Sequence, residues 1–330
     1  MSDPAGWNAW GPIGPPPARG RRLPPVTFGG ILEITGRLTR RHAGRLVILA
    51  TLFLLPAWLL SAAAGVQLVT TVLDLLPVPI PGRPIPQPVT FTPEESGRVA
   101  QALIILLATS LLLGLAGAVA AAAFSDVVQR DYRGLEPSVR QAALRALRRL
   151  PRILGTAVLG TLAFVGLLLG GVMMAVLLAT LGGVDPSGGG LGVFLALVAL
   201  VAFVLAAMVL SVRWSLAIVV VALEERGPLA ALIRSWRLTA GAAWRTLGIL
   251  LLVTLVVAVI GGLLSEILGL TVADLLFGES SSSALVVRTI FSAIISVLLA
   301  PLLPVAMTVL YFDQRVRHEA FDLTDEQREP

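Results

Sequence analysis

No cysteine and no lysine occur among the 330 residues. The first absence excludes disulfide bonds, thiolate catalysis and cysteine-ligated metals. The second makes all 25 basic residues arginine, which the base composition of a GC-rich genome would account for. Arginine is always charged, and its planar fork binds phosphate bidentately. Charge of either sign is scarce, at 14% of residues. Soluble chains carry about 25%, so soluble enzymes, nucleic-acid-binding domains, secreted disulfide scaffolds and disordered tails are excluded as classes. Histidine is nearly missing too. His42 and His318 stand alone, with no partner at metal-ligand spacing.

Catalytic signatures are equally lacking. No HExxH helix or GxSxG elbow occurs. The run Gly188-Gly189-Gly190-Leu191-Gly192 lacks the Lys-Ser/Thr pair of a phosphate loop and reads as a linker. The adjacent acids Glu94-Glu95 and Glu224-Glu225 read as solvated loop charges, because sequence neighbours do not share a helix face. The expectation is a non-enzyme with no cofactor, no metal and no nucleic-acid partner.

What is abundant is apolar surface, at 56% of residues. About 20 apolar residues cross a bilayer core, and six runs are long enough: 46–76, 99–124, 153–181, 192–223, 246–268 and 287–312. They predict an all-α integral membrane protein with three parts. Residues 1–25 form a disordered Pro-, Gly- and Arg-rich tail, 26–312 the six-span domain, and 313–330 a C-terminal tail. The first run is too long for a signal-peptide core of about 7–15 residues, so no cleavable signal is expected.

The arginines orient these spans. Twenty-one lie in the N-terminal segment, the second and fourth connections and the C-terminal tail; the opposite loops hold only Arg83, Arg98 and Arg288. The positive-inside rule then places both termini in the cytoplasm of a bacterial cell, with the chain in its inner membrane. The outer loops are Pro-rich (77–93) or Gly- and Ser-rich (182–190 and 278–283).

The cytoplasmic segments share a pattern. Stretches ending at Arg45, Arg152 and Arg245 each read as a short amphipathic helix leading into a transmembrane hairpin, so the chain looks like three copies of one plan. In the third copy Leu229, Leu232, Ile233, Trp236, Ala240 and Ala243 follow helical spacing on one face, with Arg234, Arg237 and Arg245 on another. In the second, Val139, Ala143, Leu147 and Leu150 oppose Arg145, Arg148, Arg149 and Arg152. Helices of this kind lie in the membrane interface, where Trp236 and Trp244 would act as anchors. Two readings fit: recognition of anionic lipid phosphate, or the plainer role of fixing the bundle at the interface.

Within the spans, Arg213 is the sharpest candidate, because an intramembrane ionisable residue is a functional hypothesis by default. On one continuous helix it lies about 16 Å inside Glu224. It contacts a substrate or lipid phosphate in a cavity, or it snorkels to the interface. Pro56, Pro301 and Pro304 are expected to break or kink the first and sixth spans, as packing features or as part of a binding site. Gly114, Gly117, Ala118, Ala121 and Ala122, and separately Gly166 and Gly170, make small-residue faces for close helix contact.

Three segments carry a likeness to a known family. They are Thr27-Phe28-Gly29-Gly30-Ile31-Leu32 with Arg40-Arg41-His42; Arg213 through Glu224-Glu225-Arg226-Gly227-Pro228-Leu229 and Arg234-Ser235-Trp236-Arg237-Leu238-Thr239; and Tyr311-Phe312-Asp313-Gln314-Arg315-Val316-Arg317-His318 onward to Leu323. Over 26–323 the chain resembles the bacterial six-span family described as the glycerophosphoryl diester phosphodiesterase membrane domain. The resemblance implies the membrane module alone, since the catalytic barrel of fused relatives, with its histidine and metal ligands, has no counterpart here. The function expected is a scaffold or accessory module contacting anionic phospholipid and a partner membrane protein. The alternative is a transporter or lipid-handling protein with a cavity near Arg213 and the Pro301/Pro304 kink.

Overall fold

The computed structural model describes residues 27–75, 92–181, 190–277 and 282–319. The tail 1–25, nearly all of the Pro-rich loop with Arg83, most of the Gly- and Ser-rich linkers, the His318 side chain and residues 320–323 lie outside the described residues. Every regular element described is an α-helix: α1 (Phe28–Arg41), α2 (Ala43–Leu75), α3 (Pro93–Tyr132), α4 (Val139–Arg148), α5 (Leu150–Leu181), α6 (Gly190–Trp214), α7 (Ala217–Glu224), α8 (Pro228–Leu238), α9 (Ala243–Phe277), α10 (Ser282–Leu299) and α11 (Leu302–Glu319).

Six helical stretches are long and apolar enough to cross a membrane: Ala43–Leu75, Pro93–Tyr132, Leu150–Thr180, Gly190–Glu224, Ala243–Gly269 and Val286–Arg317. They match the six predicted runs in number and order. The third and fourth expose nearly all of their most apolar stretch, whereas 56% of the sixth's is buried. Leu162, Met173, Val201 and Leu205 are among the exposed residues. Such open apolar surface is compatible with an apolar environment around these helices.

The chain divides into two compact units. The first comprises Met1–Ala43, Ala121–Thr254 and Leu302–Pro330. Its core is α11, where every residue from Val305 to Gln314 is buried. Helix α1 packs on α11 through Ile31, Ile34, Thr35 and Leu38, buried at helical spacing. The Thr27 hydroxyl caps α1 by accepting from the Gly30 amide at 3.2 Å. Helices α5 and α6 pack extensively against each other, and α8 packs against α5, α6, α7 and α11. Where α6 crosses α5, a Cβ on Gly171 would lie 2.6 Å from Phe203 Cβ, so glycine is what permits the approach. The close contact expected at Gly166 is thus displaced: Gly166 has open space beside it, and so do Gly114 and Gly117.

The second unit comprises Gly44–Ala120 and Leu255–Pro301. In it α2 meets α3, with the Ser61 and Ser110 hydroxyls 3.5 Å apart. Helix α9 meets α10: a Cβ on Gly261 would lie 3.1 Å from a Leu299 methyl. An Arg288–Glu266 ion pair at 2.7 Å joins the same two helices.

Several expectations need correction. Helix α2 runs unbroken through Pro56, because one proline removes one intrahelical bond and the flanking apolar turns keep theirs. The sixth span does break, between Leu299 and Leu302. Pro301 lies in that turn, whereas Pro304 lies in the first turn of α11, where its missing N–H is no loss. The fourth span, expected as one helix, is two: Ser215 and Leu216 form a turn between α6 and α7. The Ser211 and Ser215 hydroxyls both donate to carbonyls of the preceding turn, Ala207 and Val212, each at 2.8 Å, a contact that bends helices. The 16 Å depth of Arg213 rested on a continuity that is absent.

The short helices bury their small side chains and leave the large apolar ones outward. Helix α8 buries Ala231, Leu232, Ser235 and Leu238, whereas Leu229, Ile233 and Trp236 are exposed. Helix α4 buries Ala142, Ala143 and Ala146 and exposes Leu144 and Leu147. Small side chains face the protein because the neighbours are close; a Cβ on Gly155 of α5 would lie 2.8 Å from the Pro228 ring. Each helix therefore has three faces, namely small and buried, large and exposed, and basic.

Candidate functional site

In the first unit Arg149, Arg234 and Arg245 reach carboxylates, and Arg152 reaches a backbone carbonyl. Helix α7 is Ala-Ile-Val-Val-Val-Ala-Leu until its last residue, Glu224. The Glu224 carboxylate accepts from the Tyr311 hydroxyl of α11 at 2.8 Å, from Arg226 Nε at 2.6 Å and from Arg234 Nε at 3.2 Å. Only 11% of its side chain is exposed. The solvated loop charge expected at Glu224 is instead the joint of three elements. Burial without partners would disfavour a carboxylate strongly, and the cations around it offset that penalty.

Glu225 follows with a left-handed backbone (φ 57°), uncommon outside glycine. Two arginines from the α4–α5 junction hold it there. Arg152 donates to the Glu225 carbonyl at 2.9 Å. Arg149 pairs with the Glu225 carboxylate and donates to the Ala222 carbonyl. The tight turn they clamp delivers Gly227 and Pro228 to the start of α8, with proline in the first helical turn.

Arg245, at the start of α9, pairs with Asp313 at 2.6 Å, and Arg317 reaches the same carboxylate at 2.9 Å. Helix α11 continues past Phe312, and Asp313 is 1% exposed, so this residue belongs to the packed core of the unit. Two further carboxylates tie α3 to the short helices. Asp126 pairs with Arg145 of α4 at 2.7 Å and with Arg130 at 3.2 Å. Asp131 lies 2.8 Å from His42 Nε2 and 3.2 Å from Arg41.

Arg213 does not join this network. Its guanidinium carbon lies 5.2 Å from the centroid of the Trp236 ring, within cation–π range. Its Nε and Nη1 are buried without a hydrogen-bond partner. The Arg213 carbonyl, by contrast, is well held. It accepts from the Ser235 hydroxyl at 2.7 Å and lies 3.5 Å from Thr239 Oγ1. Ser235 Oγ in turn accepts from the Leu216 amide at 3.2 Å. The block Arg234-Ser235-Trp236-Arg237-Leu238-Thr239 thus serves the α6–α7 break, and its hydroxyls satisfy backbone groups that the interrupted helix releases.

The remaining predicted residues stay apart. Arg148 and Arg237 are exposed, with no carboxylate partner among the described residues, and Trp244 is 83% exposed. Sequence reasoning assigned no site role to Glu224, Tyr311, Asp313, Asp126, Ser235 and Thr239. A signal for one was present: a single carboxylate ending an otherwise wholly apolar helix is unsuited to solvent on all sides.

The class these features define is an all-helical protein with six helices able to span a membrane, its carboxylates joined to arginines from several helices. The chain belongs to the family described as Domain of unknown function (DUF8558), whose profile matches residues 144–324. The matched region contains the Glu224, Glu225 and Asp313 networks and Arg213, and leaves out Asp126 and Asp131. No curated protein and no solved structure matches the chain, and no link to the glycerophosphoryl diester phosphodiesterase membrane domain is found.

Proposed function

We propose that the chain is a non-enzymatic polytopic protein of a bacterial inner membrane, with both termini cytoplasmic. It acts as a scaffold or accessory module that contacts anionic phospholipid through α1, α4 and α8 and supports a partner membrane protein. One observation carries this reading. Exposed Arg40 on α1, Arg140 and Arg148 on α4 and Arg237 on α8 have no carboxylate partner among the described residues. Each helix also exposes large apolar side chains: Phe28 on α1, Leu144 and Leu147 on α4, Leu229, Ile233 and Trp236 on α8. Arginine beside outward apolar side chains suits a helix in the plane of the headgroups, and each such charge contributes about 1 kcal/mol near an anionic leaflet.

Further support comes from the 21 arginines on one side and from three short helices each followed by a long one, as a threefold repeat requires. A lipid-handling or transport role is the second reading, favoured by the unpartnered donors of Arg213.

The test is lipidomic. Chain purified gently from its own membrane should carry phosphatidylglycerol over phosphatidylethanolamine, and the quadruple variant R40Q/R140Q/R148Q/R237Q should lose that preference several-fold. An unchanged lipid ratio would sink the reading. Orientation is tested with one cysteine introduced at Ser282 in this cysteine-free chain. An impermeant maleimide should label it in intact spheroplasts, and labelling only after lysis would reverse the topology.

A further inference from the structure

The donors of Arg213 require an acceptor that the surrounding helices do not provide. Guanidinium has five N–H donors, no acceptor, and does not shed its proton in proteins. Two of its nitrogens are sealed without partners; Nη2 has none either and is the one left open at the surface. Helix α6 packs against α5 and α8, and none of the three contains an Asp or Glu. Helix α7 contains one, Glu224, already bonded to Tyr311, Arg226 and Arg234. No carboxylate of these packed helices is therefore left to serve as counter-charge for Arg213.

The place is built rather than incidental. Ser235 and Leu216 hold the backbone on either side of the α6–α7 break, which fixes where the Arg213 side chain departs. The Trp236 ring flanks the guanidinium, itself half exposed on the outer face of α8 beside Ile233 and Leu229. An indole fits the boundary between headgroup and acyl chain, and guanidinium pairs with phosphate through short charge-assisted bonds.

We propose that Arg213, flanked by Trp236, binds one phosphate-class oxyanion. The source is the phosphodiester of a phospholipid or a free phosphate. The lipid source rests on the reading that α6 and α8 lie in a membrane.

The experiment uses the full chain in detergent and native mass spectrometry, with added phosphatidylglycerol in one arm and inorganic phosphate in the other. Wild type should retain one phosphatidylglycerol at activation energies that strip phosphatidylcholine. R213Q should lose this adduct at least tenfold, while R98Q, at an exposed pair with Glu94, keeps it. A phosphate adduct that is lost in R213Q, with no lipid adduct, assigns the free anion as ligand. Equal adducts in wild type and R213Q, or no adduct of either kind in wild type, would overturn the proposal. If R213Q fails to fold, R213K decides: the planar fork is lost and the charge kept, so retention should fall, and retention equal to wild type overturns the site. A quadruple surface variant that loses its bulk lipid preference but keeps the single adduct separates this site from the broader reading above.

Discussion

The Ser235 hydroxyl donates to the Arg213 carbonyl at 2.7 Å across 22 residues of chain. In the opposite role its oxygen accepts from the Leu216 amide at 3.2 Å. One side chain thus answers both ends of the gap between α6 and α7. In an apolar environment unsatisfied backbone groups cost several kcal/mol, so the break and the serine depend on each other.

Ser235→Ala removes both bonds at a residue with no exposed surface. The expected loss is about 1–3 kcal/mol, the cost of leaving buried groups unsatisfied. Thr239→Ala should cost less, since Thr239 Oγ1 is 3.5 Å from the same carbonyl. Thermal unfolding midpoints in detergent would rank the two, and a T239A loss equal to that of S235A would contradict the assignment.

Glu224 and Glu225 are neighbours with different duties. Glu224→Gln leaves Arg234, whose side chain is 18% exposed, without this carboxylate, and breaking one side of such a buried pair costs about 3–5 kcal/mol. Glu225 is largely open to solvent, and the Arg152 bond goes to its backbone carbonyl, so Glu225→Gln should cost at most about 1 kcal/mol. Folded yield and melting temperature of the pair check this; equal effects would demote Glu224 from its central position.

Asp313 meets both Arg245 and Arg317. Asp313→Asn should therefore destabilise strongly, by about 3–5 kcal/mol. The double variant D313N/R245Q should recover part of the loss, because the cation that lost this carboxylate is removed with it. A strictly additive double mutant, read from the same melting curves, would show that the two residues do not act as a pair.

Gly171 sits where a Cβ would overlap Phe203, while Gly166 has open space. Gly171→Ala should cost about 1–3 kcal/mol through forced repacking of α5 against α6, and Gly166→Ala should be neutral or slightly stabilising through helix propensity. Adding Phe203→Gly, which removes the Cβ that the new methyl would meet, should make room for it. Indistinguishable melting temperatures for the two glycine variants would refute this placement of the crossing.

The legible features were those with a period or a run length. Six apolar stretches, the three short basic helices and the unusual position of Arg213 follow from residue order alone, because helical spacing and hydrophobic length are local properties. Pattern also tells which residues share a face, but not which face meets protein. Hence the small side chains Ala142, Ala146 and Ala231 proved to be the buried ones, and Leu147, Leu229 and Trp236 the exposed ones.

Partner choice was decided only by tertiary structure. Nothing local distinguishes Glu224 from Glu225, yet one is gripped by Tyr311 from 87 residues away and the other by Arg149 from 76. The break after Trp214 is likewise not decided locally: Ser211 and Ser215 flank it, but the hydroxyls that satisfy its backbone belong to Ser235 and Thr239 at α8. Apolar length determined that this chain is a set of membrane-length helices. Where most of its few charges went depended on the fold, since burying a charge costs much less where another part of the chain supplies its complement.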